Sequence, residues 1–455
     1  FRSKGRVPAL TWLHPLTGAA VCRSAQPLAG ISISQIASRH RNAEDERLVA
    51  AIAAAANAAA GGHRPFLIVD CRSRVAATGN AVMGKGTENE LVYADACSRS
   101  GGARVVHLDI ANIHAVRGSY LRLHELLRST AGGSKHDASF LSSLHDSEWL
   151  AHVASLLKGA SCAAHAVGAH GRSLLVHCSD GWDRTAQISI LVQLLLDPHY
   201  RTLDGLAALL QKDLLAFGHK CAERLGHAAG GPSTHEWSPI VLQLLDAIHQ
   251  VMAQQPAAFD FTDEALTFIA AHAHAGIAPD FRHDHERGRA AAARAAAGGG
   301  GPSVWALLLE RRGRFANDGY RAWPAADGAL PVVCALQRLR LWRLFHQDGA
   351  RLAASTIDDC FWCQPELDGL AQAEAEVEEE EGAPRCSVDI THTSSKKDPR
   401  GAEYTLYHLV VEIDEDDADE TRTLAVARRF SEFVELDAQL RAAAPPAAVG
   451  ALPPL

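Results

Sequence analysis

Cys178 and Arg184 are separated by five residues in the string Val176, His177, Cys178, Ser179, Asp180, Gly181, Trp182, Asp183, Arg184, Thr185, Ala186, Gln187. At that spacing one tight turn can bring a nucleophile and a guanidinium onto the same anion. Residues 173–176 before the turn are strand-like and residues 186–196 after it are helix-like. A loop that closes onto a helix N-terminus aims several backbone N–H groups inward, and the helix dipole adds partial positive charge at the same place. Phosphate fits such a nest. The same field favours thiolate over thiol, which makes Cys178 a nucleophile toward phosphorus. Arg184, a planar fork that stays charged, can hold two phosphoryl oxygens and stabilise the charge spread over them in the transition state. Asp183 or Asp180 could protonate the leaving oxygen, provided its surroundings keep it protonated part of the time. Ser179 or Thr185 could hydrogen-bond the sulfur. The bare spacing recurs by chance in long chains; the strand, the glycine and the helix around it give it meaning.

The whole string from Cys178 to Gln187 resembles the signature loop of the myotubularin family of phosphoinositide 3-phosphatases. The likeness extends to Ile68, Val69, Asp70, Cys71 and Arg72, followed by Asn80, Gly84, Lys85, Gly86 and Glu88, with Ser73 where the family usually has proline. It includes Leu108, Asp109, Ile110, Asn112, Ile113, His114 and Arg117. It continues through Phe217, Gly218, His219, Lys220, Arg224, Gly226 and His227, then Ser238, Pro239, Ile240, Leu242, Gln243 and Asp246. Near the start, Arg23, Ser24, Gln26, Pro27 and Gly30 fit as well. Together these segments cover roughly residues 1–345. The resemblance implies that Cys178 is the nucleophile, Arg184 the phosphate clamp and Asp183 the acid, with Ser179, Asp180, Gly181 and Trp182 forming the substrate loop. It also implies that Lys220 and Arg224 bind further phosphates on the inositol ring and that Asn80 and Asn112 support the pocket wall. The implied substrates are phosphatidylinositol 3-phosphate (PI3P) and the 3,5-bisphosphate, on a cytoplasmic protein peripheral to endosomal membranes that associates with itself or with other myotubularins. No cofactor, metal or nucleic acid is expected.

The residues agree on charge, since a multiply anionic head group needs more than one cation and Lys220 and Arg224 are one helical turn apart. A solvated basic helix face is the alternative reading of that pair; His219 and His227 read more simply as capping or core histidines. Trp182 could shape the pocket rim or merely pack. A protein tyrosine or dual-specificity phosphatase shares the Cys and Arg chemistry, and a lipid-targeted adaptor without catalysis is a third reading.

At 455 residues, one large and one small domain are expected. The net charge of −9 is concentrated. Six glutamates between Glu374 and Glu381 and seven acids between Glu412 and Glu420 leave 44 basic against 40 acidic side chains elsewhere, so a surface facing anionic lipid is permitted. No apolar run approaches a bilayer's thickness. Ten scattered cysteines and a nucleophile that must stay reduced argue for a reducing compartment. Cys360 and Cys363 lack a second pair for zinc. The chain reads as a fragment: the family normally carries a membrane-binding domain of the PH-GRAM type before this point, and the sequence does not include it.

The buried-strand patterns at residues 64–70, 103–110 and 173–178 predict an α/β fold, a cysteine-phosphatase-type central sheet flanked by helices. Residues 237–274 read as helical. Alanine-rich inserts at 50–62 and 289–301 read as surface loops or helix extensions. The phosphatase domain is placed at 1–347 and an acidic low-complexity linker at 348–385. Residues 386–455 read as a small α+β segment: 404–413 and 423–430 alternate as strands, 414–420 is an acidic hairpin loop, and 431–440 turns helical. The run Arg428, Arg429, Phe430, Ser431, Glu432, Phe433 resembles the phosphoinositide-binding phox-homology (PX) domain, truncated here. By that resemblance Arg429 contacts the 3-phosphate and Phe430 lies beside the inositol ring.

Overall fold

The computed structural model describes residues 2–28, 42–79, 86–130, 140–228, 236–276, 278–295 and 301–342, and the backbone of three strands between 385 and 429. The chain divides into two compact units, Phe1–Gln364 and Pro365–Leu455.

In the first unit, β1 (Ala9–Leu13), β2 (Ala20–Ser24), β3 (Phe66–Asp70), β4 (Ala103–His107) and β5 (Leu174–His177) form one sheet in the order β1-β2-β5-β3-β4. Only β1 is antiparallel to its neighbour; β2, β5, β3 and β4 run parallel. Parallel sheets are covered on both faces, so their strands read as continuous apolar runs, as β3 and β5 do. Alternate side chains serve alternate faces: Val21, Leu67, Val69, Leu174 and Val176 enter the larger core cluster, whereas Ala20, Cys22, Phe66, Ile68 and Leu175 enter the smaller.

The larger cluster is filled by the helices Trp149–Gly168, Arg184–Leu196, Ile240–Gln254 and Asp263–Ala275. Every residue of Arg184–Leu196 after the first is buried, which marks it as the central helix of its layer. The smaller cluster is covered by Ala43–Ala59 and Glu90–Ala96. Of the two readings of the alanine-rich insert at 50–62, the helix extension is the one that forms, within Ala43–Ala59. Asn42 caps the Asp45 N–H, and Val49, Ala53 and Ala56 form a buried stripe at helical spacing, their small side chains letting the helix lie close to the sheet. The helical run expected over 237–274 is two helices, interrupted by Pro256 and a turn through Asp260.

The second unit contains β6 (Arg385–Lys397), β7 (Glu403–Asp414) and β8 (Arg422–Arg429), antiparallel in that order, with Ile413 opposite Arg422 and Leu406 opposite Arg429. Two strands fall where alternation places them. β6 does not, because its run of Ser, Thr, His, Asp and Lys carries little apolar signal. Residues 431–440, most of the linker, Asn80, Phe430, Cys360 and Cys363 lie outside the described residues. Among the described residues, no helix is long and apolar enough to cross a membrane.

Candidate active site

Ligands of open parallel sheets bind outside the carboxyl ends of the strands. Cys178 follows the end of β5, the central strand, and Arg184 opens the helix packed beneath it. The Cys178 side chain is 4 % exposed and Arg184 is half-buried.

The loop between them has its carbonyls turned outward by named donors. Gln26 N–H donates to the Ser179 carbonyl (3.1 Å). Arg23 Nη2 (3.0 Å) and Arg6 Nη2 (3.3 Å) both donate to the Gly181 carbonyl. His219 Nδ1 lies 3.0 Å from the Trp182 carbonyl. In a trans peptide the C=O and the following N–H point opposite ways, so the N–H groups of Asp180, Trp182 and Asp183 face the inside of the turn. Gly181 N–H already points at Cys178 Sγ (3.4 Å). Gly181 has φ +79°, and a Cβ there would stand 2.4 Å from the Ser24 carbonyl oxygen, so no other residue closes this turn without shifting β2. The result is the inward-facing anion nest that a helix N-terminus completes.

Arg184 Nη1 is steadied by the Ile110 carbonyl (3.2 Å), beside Asp109, whose φ of +55° bends the segment after β4 toward the loop. Arg23 is held in turn by Asp213, whose carboxylate also accepts from Thr11 and Gln193. Asp213 belongs to a π-helical turn, Gln211–Ala216, a form frequent at functional sites. Behind the loop, His177 is fully buried, with Nε2 2.9 Å from Glu88 and Nδ1 3.2 Å from the Cys178 carbonyl. Glu88 is also bound by Arg2, which forks onto Asp45. Burial would lower His177 and raise Glu88, but their mutual attraction outweighs it, leaving the imidazole raised and the carboxyl well below the carboxylate range.

Two expected roles change in this geometry. Asp183, expected as acid, accepts from Arg224 Nε (3.2 Å) and Nη2 (3.0 Å) and lies 3.2 Å from His219 Nδ1. Burial alone would raise its carboxyl, but the His219 hydrogen bond and the Arg224 charge hold it well below the usual range, so it stands as a carboxylate. Arg224, expected on a ring phosphate, is buried and spends its donors on Asp183 and Glu236. Asp180, the loop's other carboxyl, is half-buried and accepts from Ser3 Oγ (2.9 Å).

Lys220 is partly exposed; its Nζ binds Glu223 (2.6 Å) and sits 5.0 Å from the centre of the Trp182 ring, with the Arg6 guanidinium 5.7 Å from the same ring. Trp182 is thus bracketed by cations. Asn112 caps the helix Ile113–Thr130, accepting from the His114 and Ala115 N–H groups. Arg6, Asp213, Arg2 and Asp45 were not singled out from sequence, and Arg23 and Glu88 entered only as positions of the resemblance, with no role attached. The one available signal was a charged residue, Arg23, inside the otherwise small and apolar β2.

A cysteine and an arginine across a tight turn, at the carboxyl edge of a parallel sheet, make a candidate phosphate-binding site. A protein-family model described as Myotubularin-like phosphatase domain matches residues 1–290, and the chain belongs to that family. It is similar to myotubularin of Xenopus laevis, 35% identical over 342 residues, 75% of this chain and 52% of that protein. It is also similar to the phosphatidylinositol-3,5-bisphosphate 3-phosphatases MTMR6 of Mus musculus, 36% identical over 348 residues (76% and 52%), and mtm-1 of Caenorhabditis elegans, 37% identical over 322 residues (70% and 50%). The chain spans about half the length of these curated relatives.

Proposed function

We propose that the chain hydrolyses the 3-phosphate of PI3P or of the 3,5-bisphosphate through a phosphocysteine intermediate. The observation that carries this reading is the turn of outward carbonyls between Cys178 and Arg184, a nest shaped for a phosphoryl group; the names of the similar proteins supply the lipid. Cys178 sulfur attacks phosphorus, the bond to the ring oxygen breaks, and water then cleaves the thiophosphate to release inorganic phosphate. Arg184 and the N–H groups of Asp180, Trp182 and Asp183 bind the equatorial oxygens. Because Asp183 is committed as a carboxylate between Arg224 and His219, the proton for the leaving oxygen is assigned to Asp180. Lys220 at the Trp182 rim supplies charge for a second phosphate.

Phosphate release from PI3P, the 3,5-bisphosphate and a phosphotyrosine peptide tests the substrate class. The lipids are expected to be preferred, and a preference for the peptide would make this a protein phosphatase. In the same assay Asp180→Asn should lower turnover of lipid by at least about 10²-fold yet spare an aryl phosphate whose phenol leaves without a proton. Equal losses on both would remove Asp180 as donor.

Residues 386–455 are proposed to be part of a PX-like phosphoinositide module. The antiparallel sheet ending in Arg428 and Arg429 supports this reading. Arg429→Ala is expected to reduce cosedimentation with PI3P vesicles; unchanged binding would assign membrane attachment elsewhere.

A further inference from the structure

The main-chain bond from Cys71 N–H to the His177 carbonyl (2.8 Å) carries the β3/β5 ladder one residue past the pair Asp70 and His177. In this parallel ladder Leu67, opposite Leu174, donates to the carbonyl of Ser173, the residue before its partner. By the same rule Cys71 stands opposite Cys178. Neighbouring strands lie about 4.8 Å apart, inside the Cα separation of roughly 4.4–6.8 Å across which a disulfide closes. The two side chains also share a face. Leu67, Val69 and Cys71 on one strand and Leu174, Val176 and Cys178 on the other all point into the larger core cluster, whereas Cys22 points into the smaller.

We propose that Cys71 is the resolving partner of Cys178: once a peroxide has oxidised the nucleophile, the two sulfurs close an intramolecular disulfide that silences the site reversibly. The inference rests on Cys178 being the reactive thiolate of the proposed function. In the first step Cys178 sulfur takes one peroxide oxygen, the O–O bond breaks, and the other oxygen leaves as water after accepting a proton. In the second, Cys71 sulfur attacks the Cys178 sulfenic sulfur, the S–O bond breaks, and the hydroxyl departs with the Cys71 proton as a second water. Two thiols are oxidised by two electrons and one peroxide is reduced. A dithiol reverses the result.

The surroundings order these steps. Cys71 has no exposed surface, whereas Cys178 lies at the phosphate nest, so the oxidant meets Cys178 first. Burial pushes the Cys71 thiol well up, Cys178 pushes it further, and Arg184 opposes both. When Cys178 becomes a neutral sulfenic acid its contribution vanishes while that of Arg184 persists, so Cys71 gives up its proton more readily at the moment it is needed.

The test exposes the full chain to hydrogen peroxide, quenches with catalase, blocks remaining thiols and digests without reductant for mass spectrometry, with phosphate release measured before exposure and after dithiothreitol. Expected is a linked pair of peptides carrying Cys71 and Cys178, with most activity regained. Cys71→Ala should start with wild-type activity but, after the same exposure, regain less than about a tenth of it because Cys178 proceeds to sulfinic and sulfonic acid. Cys22→Ala should behave as wild type. If Cys71→Ala is poorly folded, Cys71→Ser serves. Wild-type Cys178 recovered as unlinked sulfinic acid, or a Cys71 variant that recovers as fully as wild type, would overturn the proposal. Peptide linkage is read without turnover, and activity before exposure reports separately on the phosphatase reading.

Discussion

Arg184→Ala is expected to lower kcat/KM on PI3P by on the order of 10³-fold or more, about 4 kcal/mol of transition-state stabilisation. The guanidinium faces charge that spreads over the phosphoryl oxygens as the ring oxygen departs, so its loss falls on kcat more than on KM. Arg184→Lys should recover little, since an ammonium cannot reproduce the fork. Cys178→Ser is expected to match or exceed the loss and to abolish the phosphoenzyme trapped by acid quench. The two changes should not add, because both disable one step. Activity of both variants within tenfold of wild type would place the chemistry elsewhere and leave the adaptor reading.

Glu88→Gln should cost about 3–5 kcal/mol, since it strips a fully buried carboxylate from His177 and Arg2 and leaves their charges under-compensated. The pH dependence follows from the two shifts. Glu88 is lowered on folding, so its contribution is present above about pH 4.3 and lost as pH falls through its folded value. His177 is raised, so its contribution is complete below about pH 6.5 and lost as pH rises through its folded value. The gap in urea midpoint between wild type and variant, followed by tryptophan fluorescence, should be widest between about pH 4.5 and 6.5 and shrink on either side. A pH-independent gap would mean that the ion pair is not what stabilises this region. Because His177 touches the Cys178 carbonyl, the variant should lose activity before it unfolds.

Local patterns made three of the five strands and the turn between Cys178 and Arg184 readable. The runs ending in Asp70 and His177 are the buried strands their apolar residues predict; the run ending in His107 is a strand but not a buried one, because it lies at the edge of the sheet, where only Ala103 is buried. What holds that loop was not readable, because the contacts come from far along the chain: Arg6 and Arg23 from its start, Asp213 and His219 from beyond residue 210, of which Arg23 and His219 were named without this role. Periodicity reports which face a residue occupies, not which distant carbonyl it will meet. The roles of Asp183 and Arg224 changed for the same reason. From sequence each is a lone charge at a useful place; in the fold they find each other across 41 residues and neutralise. Composition left the alanine-rich insert at 50–62 open between a surface loop and a helix extension; the helix is what forms, and the spacing of Val49, Ala53 and Ala56 is what packs it.

The strand that leads into Cys178 is the middle one, yet it is the last of the five in chain order. Until β5 is present, the β1–β2 hairpin and the β3–β4 pair lack the strand that joins them in the finished sheet. Joining them spans some 153 residues between Ala20 and Ser173, the kind of distant closure that slows folding and leaves unpaired backbone available to other chains meanwhile. Cys178, one residue past β5, therefore reaches its place beside the loop in the same event that seals the sheet.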